Sequence, residues 1–495
     1  NAYAKEKNFG TAYKGTDLVG GVTDASSYVT RLNSDFLANF RKTVSDFQFR
    51  LTTGFSVRQD ESKSQSASIS GLVIPGLFNL NNSTNPPTAS EANYKARQYG
   101  VYGDFNVGYK NFLFLHATGR NDVFSILSEQ NRSFFYPSVD VSFIPTDAFA
   151  ALKDFEALDY LKLRAGWSKV GNVNLGGNFG AYRLNPTFGQ GSGYPYNGVG
   201  GFTVGNQLVS PDLKPEFTTG IEAGFDANFL NNRITTNFTY FNSETDNQTV
   251  STGISYTTGF NSFLTNTGVT SSKGIETAIN VTPLRNKDWD ISVGANYTYI
   301  DNKVVSISAD LPRLTLASYG GTTGSYAVAG QPFPVLMGSM HKRDPEGRII
   351  VDRRTGMPTA TDTLVILGNA APKHMLGVNT SINFKGFRLS ALAEYRGGHY
   401  IYNSAGGTFD FSGAGINTVA FNRERFVIPN SSYLDASGKY VANTNVTINE
   451  GGPDYWSLAG PRTGIAENYV TSAAFWKLRE LSLSYDFPVS MLGNG

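Results

Sequence analysis

Between positions 217 and 229, apolar and polar residues alternate along the chain. The odd positions carry Phe217, Thr219, Ile221, Ala223, Phe225, Ala227 and Phe229, and the even positions carry polar residues or glycine. The same two-residue period returns at positions 289–299 and 376–384. Because successive side chains of a β-strand point to opposite faces, this pattern predicts strands with one apolar face. A length of about ten residues, with aromatics at the ends of the apolar rows, is typical of strands that cross an outer membrane around a polar lumen.

The connections between the predicted strands fall into a short and a long class. The short ones are Tyr109-Lys110-Asn111, Leu230-Asn231-Asn232, Arg285-Asn286-Lys287 and Lys385-Gly386. The long ones run roughly over 60–93, 170–215, 246–272, 303–373 and 401–470 and are rich in Gly, Asn, Ser, Thr and Pro. Bacterial barrels have short periplasmic turns and long extracellular loops, so we assign the short connections to the periplasmic rim. Positions 145–160, with apolar residues at helical spacing, are predicted to add a short helix to one such turn.

The alternating segments number about thirteen. The first lies near Ser27 to Phe40 and the last near Phe475 to Phe487. An odd number is unexpected, because single-chain bacterial barrels have an even number of strands. Either some strands escape the pattern or the chain is a piece of a larger barrel.

Composition excludes several other classes of protein. The 41 basic and 40 acidic residues give a net charge of +1, so bulk charge predicts no nucleic-acid partner. Cysteine is absent, which excludes disulfide scaffolds and cysteine-based metal sites. No apolar run is long enough for a membrane helix, whereas a barrel strand needs only every second residue to be apolar. The polar start at Asn1 carries no secretory signal, which indicates a mature or truncated chain.

Catalytic patterns are weak in this sequence. The histidines are His116, His341, His374 and His399, which are scattered and lack the spacing of metal ligands or of a catalytic triad. Glu222 and Asp226 share one strand face and could form a pair of glycosidase carboxylates, but the polar lining of a lumen explains them better. The expectation is therefore a protein that is not an enzyme, with no catalytic residues, no cofactor and no metal.

Aromatic residues in the long loops are the candidate ligand contacts. Seven of them stand among Gly, Asn and Pro: Tyr194, Tyr196, Tyr326, Tyr400, Tyr402, Tyr455 and Trp456. Flat rings that face outward can stack on sugars or on peptide side chains. Packing within the loops, or anchoring at the membrane interface, is the alternative role. We expect some of them to line an extracellular substrate site.

One C-terminal segment carries the most specific pattern of the chain. The run from Tyr469 to Pro488, YVTSAAFWKLRELSLSYDFP, resembles a late barrel strand of the SusC-like (SusC/RagA family) TonB-dependent transporters. Further segments similar to that family are Gly119–Asp122, Asn131–Arg132, Phe135–Val139, Leu161–Ser168, Gly171–Asn172, Leu213–Glu216, Phe229–Ile234, Asn266–Gly268 and Lys273–Glu276. Together they span nearly the whole chain in the order of the family.

The resemblance implies an all-β fold, a transmembrane antiparallel up-and-down β-barrel in the outer membrane of a Gram-negative, Bacteroidetes-type cell. Family members have about 22 strands around an N-terminal plug. On this basis residues 1–495 are expected to form the β-barrel domain of a longer protein, without the plug and the last hairpin. In the loop at 341–358, Arg343-Asp344-Pro345-Glu346-Gly347-Arg348 stands where many members have a calcium-like motif, so the resemblance implies no metal there.

The function implied by the resemblance is TonB-dependent import of oligosaccharides or peptides. The implied partners are a SusD-like surface lipoprotein, the TonB–ExbB–ExbD system acting through the plug, outer-membrane lipid and the glycan or peptide substrate. One alternative is a passive porin-like channel or barrel scaffold without energy coupling. Another is a secreted soluble β-protein, which the many recurring apolar rows disfavour.

Overall fold

A computed structural model of the chain describes residues 2–8, 11–13, 16–18, 20–185, 187–191, 194, 196–308, 311–319, 323–448, 451, 455–456 and 464–487. The chain divides into two compact units. The first unit comprises Asn1–Val141, Gly166–Thr219 and Thr245–Thr267, and the second comprises Ser142–Ala165, Gly220–Glu244 and Gly268–Gly495. Within the described residues, none of the helices has the length and apolar character needed to cross a membrane.

The strands, in chain order, are β1 (Ala2–Asn8), β2 (Thr11–Tyr13), β3 (Thr16–Leu18), β4 (Gly21–Val44), β5 (Phe47–Ser70), β6 (Thr88–Tyr109), β7 (Leu113–Phe124), β8 (Ser133–Phe143), β9 (Leu158–Asn172), β10 (Phe188–Gln190), β11 (Phe202–Val204), β12 (Gln207–Val209), β13 (Glu216–Phe229), β14 (Ile234–Asp246), β15 (Thr249–Gly253), β16 (Ser262–Asn266), β17 (Val269–Arg285), β18 (Trp289–Ser306), β19 (Arg313–Ser318), β20 (Thr323–Val328), β21 (Val335–Gly338), β22 (Ile349–Ile350), β23 (Val365–Asn369), β24 (His374–Phe384), β25 (Phe387–Gly397), β26 (Tyr400–Tyr402), β27 (Ser431–Leu434), β28 (Tyr440–Ala442), β29 (Val470–Ser472) and β30 (Phe475–Tyr485). The α-helices are α1 (Pro145–Ala148), α2 (Ala150–Lys153) and α3 (Ser404–Ser412), and 3-10 turns lie at Asn178–Gly180, Tyr256–Thr258, Ile416–Arg423 and Ala466–Tyr469.

Among the described residues, the large sheet contains fourteen strands. In the first unit its hydrogen-bonded order includes β1-β4-β5-β6-β7, and in the second unit it includes β17-β18-β24-β25-β30. The registered pairs in both series are antiparallel. Apart from the small loop strands, chain neighbours are therefore sheet neighbours, which is the up-and-down order that the sequence predicts.

The predicted count of about thirteen strands is one lower than the fourteen of the large sheet, and the predicted strand lengths are too short. Strand β1 was missed, although residues 2–8 pair in register with Gly21–Ser27. Strands β4 and β5 are each 24 residues long, so the connection predicted at 60–93 shrinks to residues 71–87. The extra strand ends are rich in Ser, and they carry no apolar row that a pattern search could detect. Backbone pairing extends them, together with the single buried apolar pair Val22–Ile69.

The short turns lie where the sequence predicts them. Lys110 and Asn111 have positive φ values, as do residues 230–232 and the pair Lys385–Gly386. Gly386 has a φ of +91°, a backbone conformation that glycine adopts at little cost. The predicted helix within 145–160 is present as two single-turn helices, α1 and α2.

In the first unit, the two faces of the large sheet differ in chemistry. One face of β4 presents Leu32, Phe36 and Phe40, each more than half exposed. The opposite face carries charge networks, in which Asp60 lies 2.5 Å from the Nε of Arg31 and 2.6 Å from the Nε of Arg58. Apolar side chains on the exposed face and ion pairs on the other reverse the arrangement of a soluble sheet and fit a lipid-facing wall.

The second unit repeats this division on β25 and β30. Glu394 forms ion pairs with Arg396 and Arg479 on the polar face. The apolar row of β30 consists of Trp476, Leu478, Leu481 and Leu483, all at least 60% exposed. The row changes from even to odd positions because the β25–β30 pairing shifts register between its Leu392–Glu480 and Ala393–Leu478 pairs. This β-bulge keeps all four apolar side chains on one face.

Aromatic rings cluster beside the short turns in each unit. In the second unit, Trp289 and Phe384 have ring centroids 4.2 Å apart, and Phe387 and Tyr485 have centroids 4.3 Å apart. In the first unit, Phe47 and Tyr109 form a similar pair at 4.8 Å. Aromatic rings beside the short turns are typical of the aromatic girdle of an outer-membrane barrel.

The long connections fold into small modules with their own cores. In the first unit, the sheet β12-β16-β15 accompanies a cluster that contains Leu127, Leu175 and Leu213. The second unit contains the sheets β19-β20-β21-β23, β22-β27-β28 and β26-β29. A cluster of Val351, Ile428 and Ile448 lies at the centre of one of these modules. These modules, rather than the wall strands, hold the candidate ligand contacts.

Candidate functional site

A cavity of about 350 Å³ lies among the long connections of the second unit. We call it the aromatic loop cavity and define it by the residues that line it: Asp410, Asn417, Ala420, Phe421, Phe426, Ile428, Pro429, Tyr455, Trp456, Asn468 and Tyr469. Its volume is within the range of small-molecule binding sites. Tyr455 and Trp456, two of the residues proposed from the sequence, are part of its wall.

Helix α3 and the 3-10 turn after it position one side of the cavity. The side chain of Asn403 caps α3 by accepting a hydrogen bond from the backbone N–H of Gly406 at 3.1 Å. The helix ends at Gly413, whose φ is +78°. Arg423 then holds the 3-10 turn in place, since its Nη2 donates to the carbonyl oxygen of Gly413 at 2.9 Å. The carboxylate of Asp410 and the ring of Phe421 are thereby placed on the same cavity.

The backbone at residues 421–423 is strained. Phe421, Asn422 and Arg423 have φ values of +56°, +57° and +60°, which are unusual for residues other than glycine. Backbone of this kind costs free energy and is concentrated at functional sites. Here it presents the ring of Phe421 to the cavity, where the side chain is 49% exposed.

The aromatic side chains form a continuous series of ring contacts. Phe421 and Phe426 are stacked, with centroids 4.2 Å apart and an interplanar angle of 6°. Phe426 meets Tyr455 edge to face at 5.4 Å, and Tyr455 meets Trp456 edge to face at 4.8 Å. Both geometries are favourable for aromatic pairs. The series gives the cavity two kinds of wall, stacked faces and ring edges.

A buried carboxylate stands beside these rings. Asp410 is 3% exposed, and its Oδ2 accepts a hydrogen bond of 3.0 Å from the hydroxyl of Tyr469. Burial, reinforced by the negative charge of Asp410, raises the pKa of Tyr455 to about 12. Burial and the bond to Asp410 also raise the pKa of Tyr469. Both phenols therefore stay protonated at neutral pH and can donate hydrogen bonds.

This set of groups can bind a ligand. Flat rings can stack on sugar rings or on peptide side chains, and Asp410, Asn417 and Asn468 can bond to hydroxyls or amides. Among the described residues that line the cavity there is no histidine, serine or cysteine that could act as a nucleophile or base beside Asp410. The chemistry of the cavity is that of recognition.

The other residues proposed from the sequence lie elsewhere in their own units. In the first unit, Tyr194 and Tyr196 are in a loop and are 46% and 69% exposed. In the second unit, Tyr400 is 43% exposed on β26, and Tyr402 stacks on Tyr319 with centroids 6.3 Å apart. Tyr400 and Tyr402 were expected outside strands, which is wrong, because both belong to β26.

Tyr326 has a different environment. It lies in β20, is 8% exposed and packs with Val335 and Met337, so the expectation that it stands outside strands is also wrong. The guanidinium of Arg313 lies 5.6 Å from the centroid of its ring. In this arrangement the ring contributes to the core of the four-stranded loop sheet.

Sequence reasoning missed Phe421, Phe426, Asp410 and Tyr469. One signal was available, because Asp410 stands between Phe409 and Phe411, an acid within an aromatic run. The contact between Asp410 and Tyr469 spans 59 positions of the chain, and local pattern does not report it.

The residues considered for catalysis occupy structural positions. Asp226 lies 3.5 Å from the Nε of Arg164, within the second unit. In the first unit, His116 lies between two carboxylates, at 2.9 Å from Asp104 and 2.7 Å from Asp140. These contacts join neighbouring strands across the polar face of the sheet.

In the loop at 341–358, the guanidinium of Arg348 supplies a positive charge to the buried Asp344. Asp344 is 5% exposed, and its carboxylate lies 2.7 Å from the Nε of Arg348 and accepts the backbone N–H groups of Glu346 and Arg348. Burial opposes ionisation, but the hydrogen bonds from Arg348 outweigh it and lower the pKa of Asp344 to about 2. The arginine therefore neutralises the one buried charge of this turn.

Comparison with known proteins was made by family, by sequence and by structure. Residues 2–460 match the family model described as TonB dependent receptor-like, beta-barrel. The chain is 25% identical over 441 residues to TonB-dependent receptor P26 of Formosa agariphila, covering 84% of this chain and 42% of that protein. It is 26% identical over 404 residues to TonB-dependent receptor SusC of Bacteroides thetaiotaomicron, covering 78% of this chain and 37% of that protein.

The fold is similar to the structure of the RagAB peptide transporter, with a TM-score of 0.77 at 18% sequence identity, covering 100% of this chain and 53% of that one. The chain thus spans about half the length of the relatives that it matches. The predicted all-β barrel class and the resemblance to SusC-like transporters are both confirmed. The chain belongs to the family of TonB dependent receptor-like β-barrels.

Proposed function

We propose that this chain is the barrel portion of a longer outer-membrane transporter that imports oligosaccharides or peptides. The observation that carries the proposal is the combination of an apolar, exposed wall face with a ligand-sized cavity among the loops. Family membership and the similarity to SusC and to the RagAB peptide transporter support it. Energy would come from TonB, ExbB and ExbD acting through a plug, and a SusD-like surface lipoprotein would be the partner.

The aromatic loop cavity is the proposed first contact for the substrate. Stacking on Phe421, Tyr455 and Trp456 would hold a sugar ring or a planar side chain, and Asp410 would accept a hydrogen bond from it. The exposed rings of Tyr194, Tyr196 and Tyr400, and the partly buried ring of Tyr402, are proposed as additional contacts in their own units. Binding and passage involve no covalent step, so we propose a transporter that is not an enzyme.

Uptake by cells tests this function. Cells would express the full-length protein together with the lipoprotein encoded beside it, and uptake would be followed for a pool of neutral oligosaccharides and for a pool of peptides. We expect uptake of one pool, and its loss when TonB is deleted. Uptake that persists without TonB would instead support the passive channel, and uptake of neither pool would contradict import.

A double substitution tests the cavity itself. Tyr455→Ala with Trp456→Ala removes two ring contacts, and we expect uptake at limiting substrate to fall about tenfold. The matched control is Tyr440→Ala, because Tyr440 is also a partly exposed tyrosine on a loop strand of this unit but lies outside the cavity. Equal uptake by the double variant and the control, at equal amounts of protein in the membrane, would exclude the cavity as the contact.

A further inference from the structure

A second cavity, in the first unit, has a strongly cationic lining. Its volume is about 550 Å³, and its wall includes Arg41 of β4, Arg50 of β5, Arg120 of β7 and Lys169 of β9. Asp104 is the one acidic side chain among the described residues that line it. We call it the cationic cavity. Neither the sequence patterns nor the family similarity point to it.

Three of the charged groups in the cationic cavity already have partners. The ammonium of Lys169 lies 4.4 Å from the ring centroid of Phe217. Arg120 places its Nη2 at 2.7 Å from Asp122, and its guanidinium lies 5.1 Å from the ring centroid of Tyr102. Asp104 lies 2.9 Å from the Nε2 of His116 and also accepts a hydrogen bond of 2.5 Å from Asn106. The carboxylate of Asp104 is therefore engaged by other groups and does not neutralise Arg41 or Arg50.

Arg41 and Arg50 are direct cross-strand neighbours. They are register partners in the β4–β5 ladder, and both side chains line the cavity. No carboxylate of the described residues lies within ion-pair distance of either of them, or of Lys169. Like charges directly opposite each other destabilise a strand pair, although both arginines are exposed and solvent weakens the repulsion.

The same two strands show how the chain neutralises arginines elsewhere. Arg31 and Arg58 share the carboxylate of Asp60, which is 5% exposed and lies within 2.6 Å of each guanidinium. Arg41 and Arg50 lack an equivalent of Asp60. An anionic group of another molecule or segment would therefore find two unpaired guanidinium groups at this position.

We infer that the cationic cavity binds a carboxylate group carried by the imported substrate. Two guanidinium groups and an ammonium around one cavity can hold a carboxylate through charge-assisted, bidentate hydrogen bonds. The carboxylate could belong to a uronic acid of an oligosaccharide or to an acidic residue of a peptide. The inference rests on the proposed function and adds that the transporter prefers acidic substrates.

The test uses the full-length transporter, purified in detergent, and two pairs of probes. Trigalacturonate is compared with a neutral trisaccharide, and a triglutamate peptide is compared with triglutamine, each by calorimetric binding. We expect one acidic probe to bind about tenfold more tightly than its neutral counterpart. Arg41→Gln with Arg50→Gln should abolish this preference, whereas Arg41→Lys with Arg50→Lys should retain part of it.

Lys42→Gln is the matched control. It removes one positive charge from the neighbouring position of β4, on the opposite face of the strand. The control should keep the preference for the acidic probe. A preference that survives in the glutamine variant, or the absence of any preference in the unmodified protein, would overturn the inference. The inference would also be overturned if the glutamine variant kept the preference and, without probe, melted at a lower temperature than the unmodified protein. The arginines would then serve an internal contact.

The outcome is separable from that of the proposed function. TonB-dependent uptake of neutral oligosaccharides or peptides by the same cells would establish import even if no acidic probe bound to the cationic cavity. Conversely, binding of the acidic probe without uptake would support the cavity and count against import.

Discussion

The wall strands of the second unit and its loop modules are both β-structure, but the wall exposes its apolar side chains and the loop modules bury theirs. On the wall, Val293 of β18 is 43% exposed and Leu483 of β30 is 72% exposed. In the loop modules, Val335 is 1% exposed and Ile448 is fully buried. The exposed apolar side chains of the wall fit a lipid environment, whereas each loop module buries its apolar side chains in its own small core.

The largest expected effect is the loss of a loop core residue. Ile448→Ala should destabilise its module by about 2–5 kcal/mol, because the neighbours Val351 and Ile428 cannot fill the space. Hydrogen exchange of the amides of β27 and β28 would measure this. The matched change on the wall is Ile291→Ala on β18, which should cost less because lipid can occupy the vacated space. Equal losses of protection would mean that the wall has a protein core like that of the loops.

The second largest expected effect comes from introducing a charge on the apolar row of the wall, which should destabilise the wall more than the same change destabilises a loop module. Val293→Arg on the wall is expected to cost about 2–4 kcal/mol, the penalty of a cation on a lipid-facing strand. Val441→Arg on the loop strand β28 starts from a similar exposure of 38% and should stay within about 0.5 kcal/mol. Denaturant unfolding in lipid vesicles measures both. A harmless Val293→Arg variant would show that this face does not meet lipid.

Acid should weaken the loop that contains Asp344. The carboxylate of Asp344 has a pKa of about 2 in the folded loop against an ordinary value of 3.8. A lowered pKa stabilises the fold above the ordinary value, and this contribution is lost as pH falls from about 4 to about 2. Asp344→Asn should therefore increase opening of the loop at pH 7 and make no difference near pH 2. Amide exchange across this pH range is the measurement.

Asp362→Asn is the control for that experiment. Asp362 pairs with Lys342 at 2.8 Å, but its side chain is 85% exposed, so solvent screens the pair. We expect no change in loop opening at any pH for this variant. A change equal to that of Asp344→Asn would show that general loop charge, rather than the buried Asp344–Arg348 pair, sets the response.

The smallest expected effect concerns aromatic pairs that have the same spacing in both regions. Trp289 and Phe384 on the wall, and Phe421 and Phe426 in the loops, each have centroids 4.2 Å apart. Double-mutant cycles with alanine should give coupling of about 0.5–1.5 kcal/mol for each pair. A much larger coupling on the wall would mean that lipid strengthens the ring contact itself.

The wall was largely predictable because its information is local. The two-residue period located the middle of each strand, and Lys385-Gly386 located a turn whose geometry depends on its own residues. The pattern failed at β1 and at the polar ends of β4 and β5, where backbone pairing continues without an apolar row. The predicted number of strands is one too low because β1 has no apolar row.

The candidate site was less predictable. Tyr455 and Trp456 could be singled out from the sequence, but Tyr326 could not be distinguished from them, although it is buried in β20. Likewise, the local sequence places Asp60 two residues after Arg58, but it does not show which other arginine shares that carboxylate. The contact of Asp60 with Arg31 depends on the register of β4 and β5, and the same register leaves Arg41 and Arg50 opposite each other.

The sequence by itself determined the class of fold, the family and the positions of the short turns, since alternation and turn chemistry act over a few neighbouring residues. The tertiary structure decided the register, the β-bulge that realigns β30, and the assembly of the aromatic loop cavity and the cationic cavity. Each of these depends on contacts between residues far apart in the chain. Their free energy arises from burial and charge pairing in three dimensions, and a one-dimensional pattern does not encode which distant partners meet.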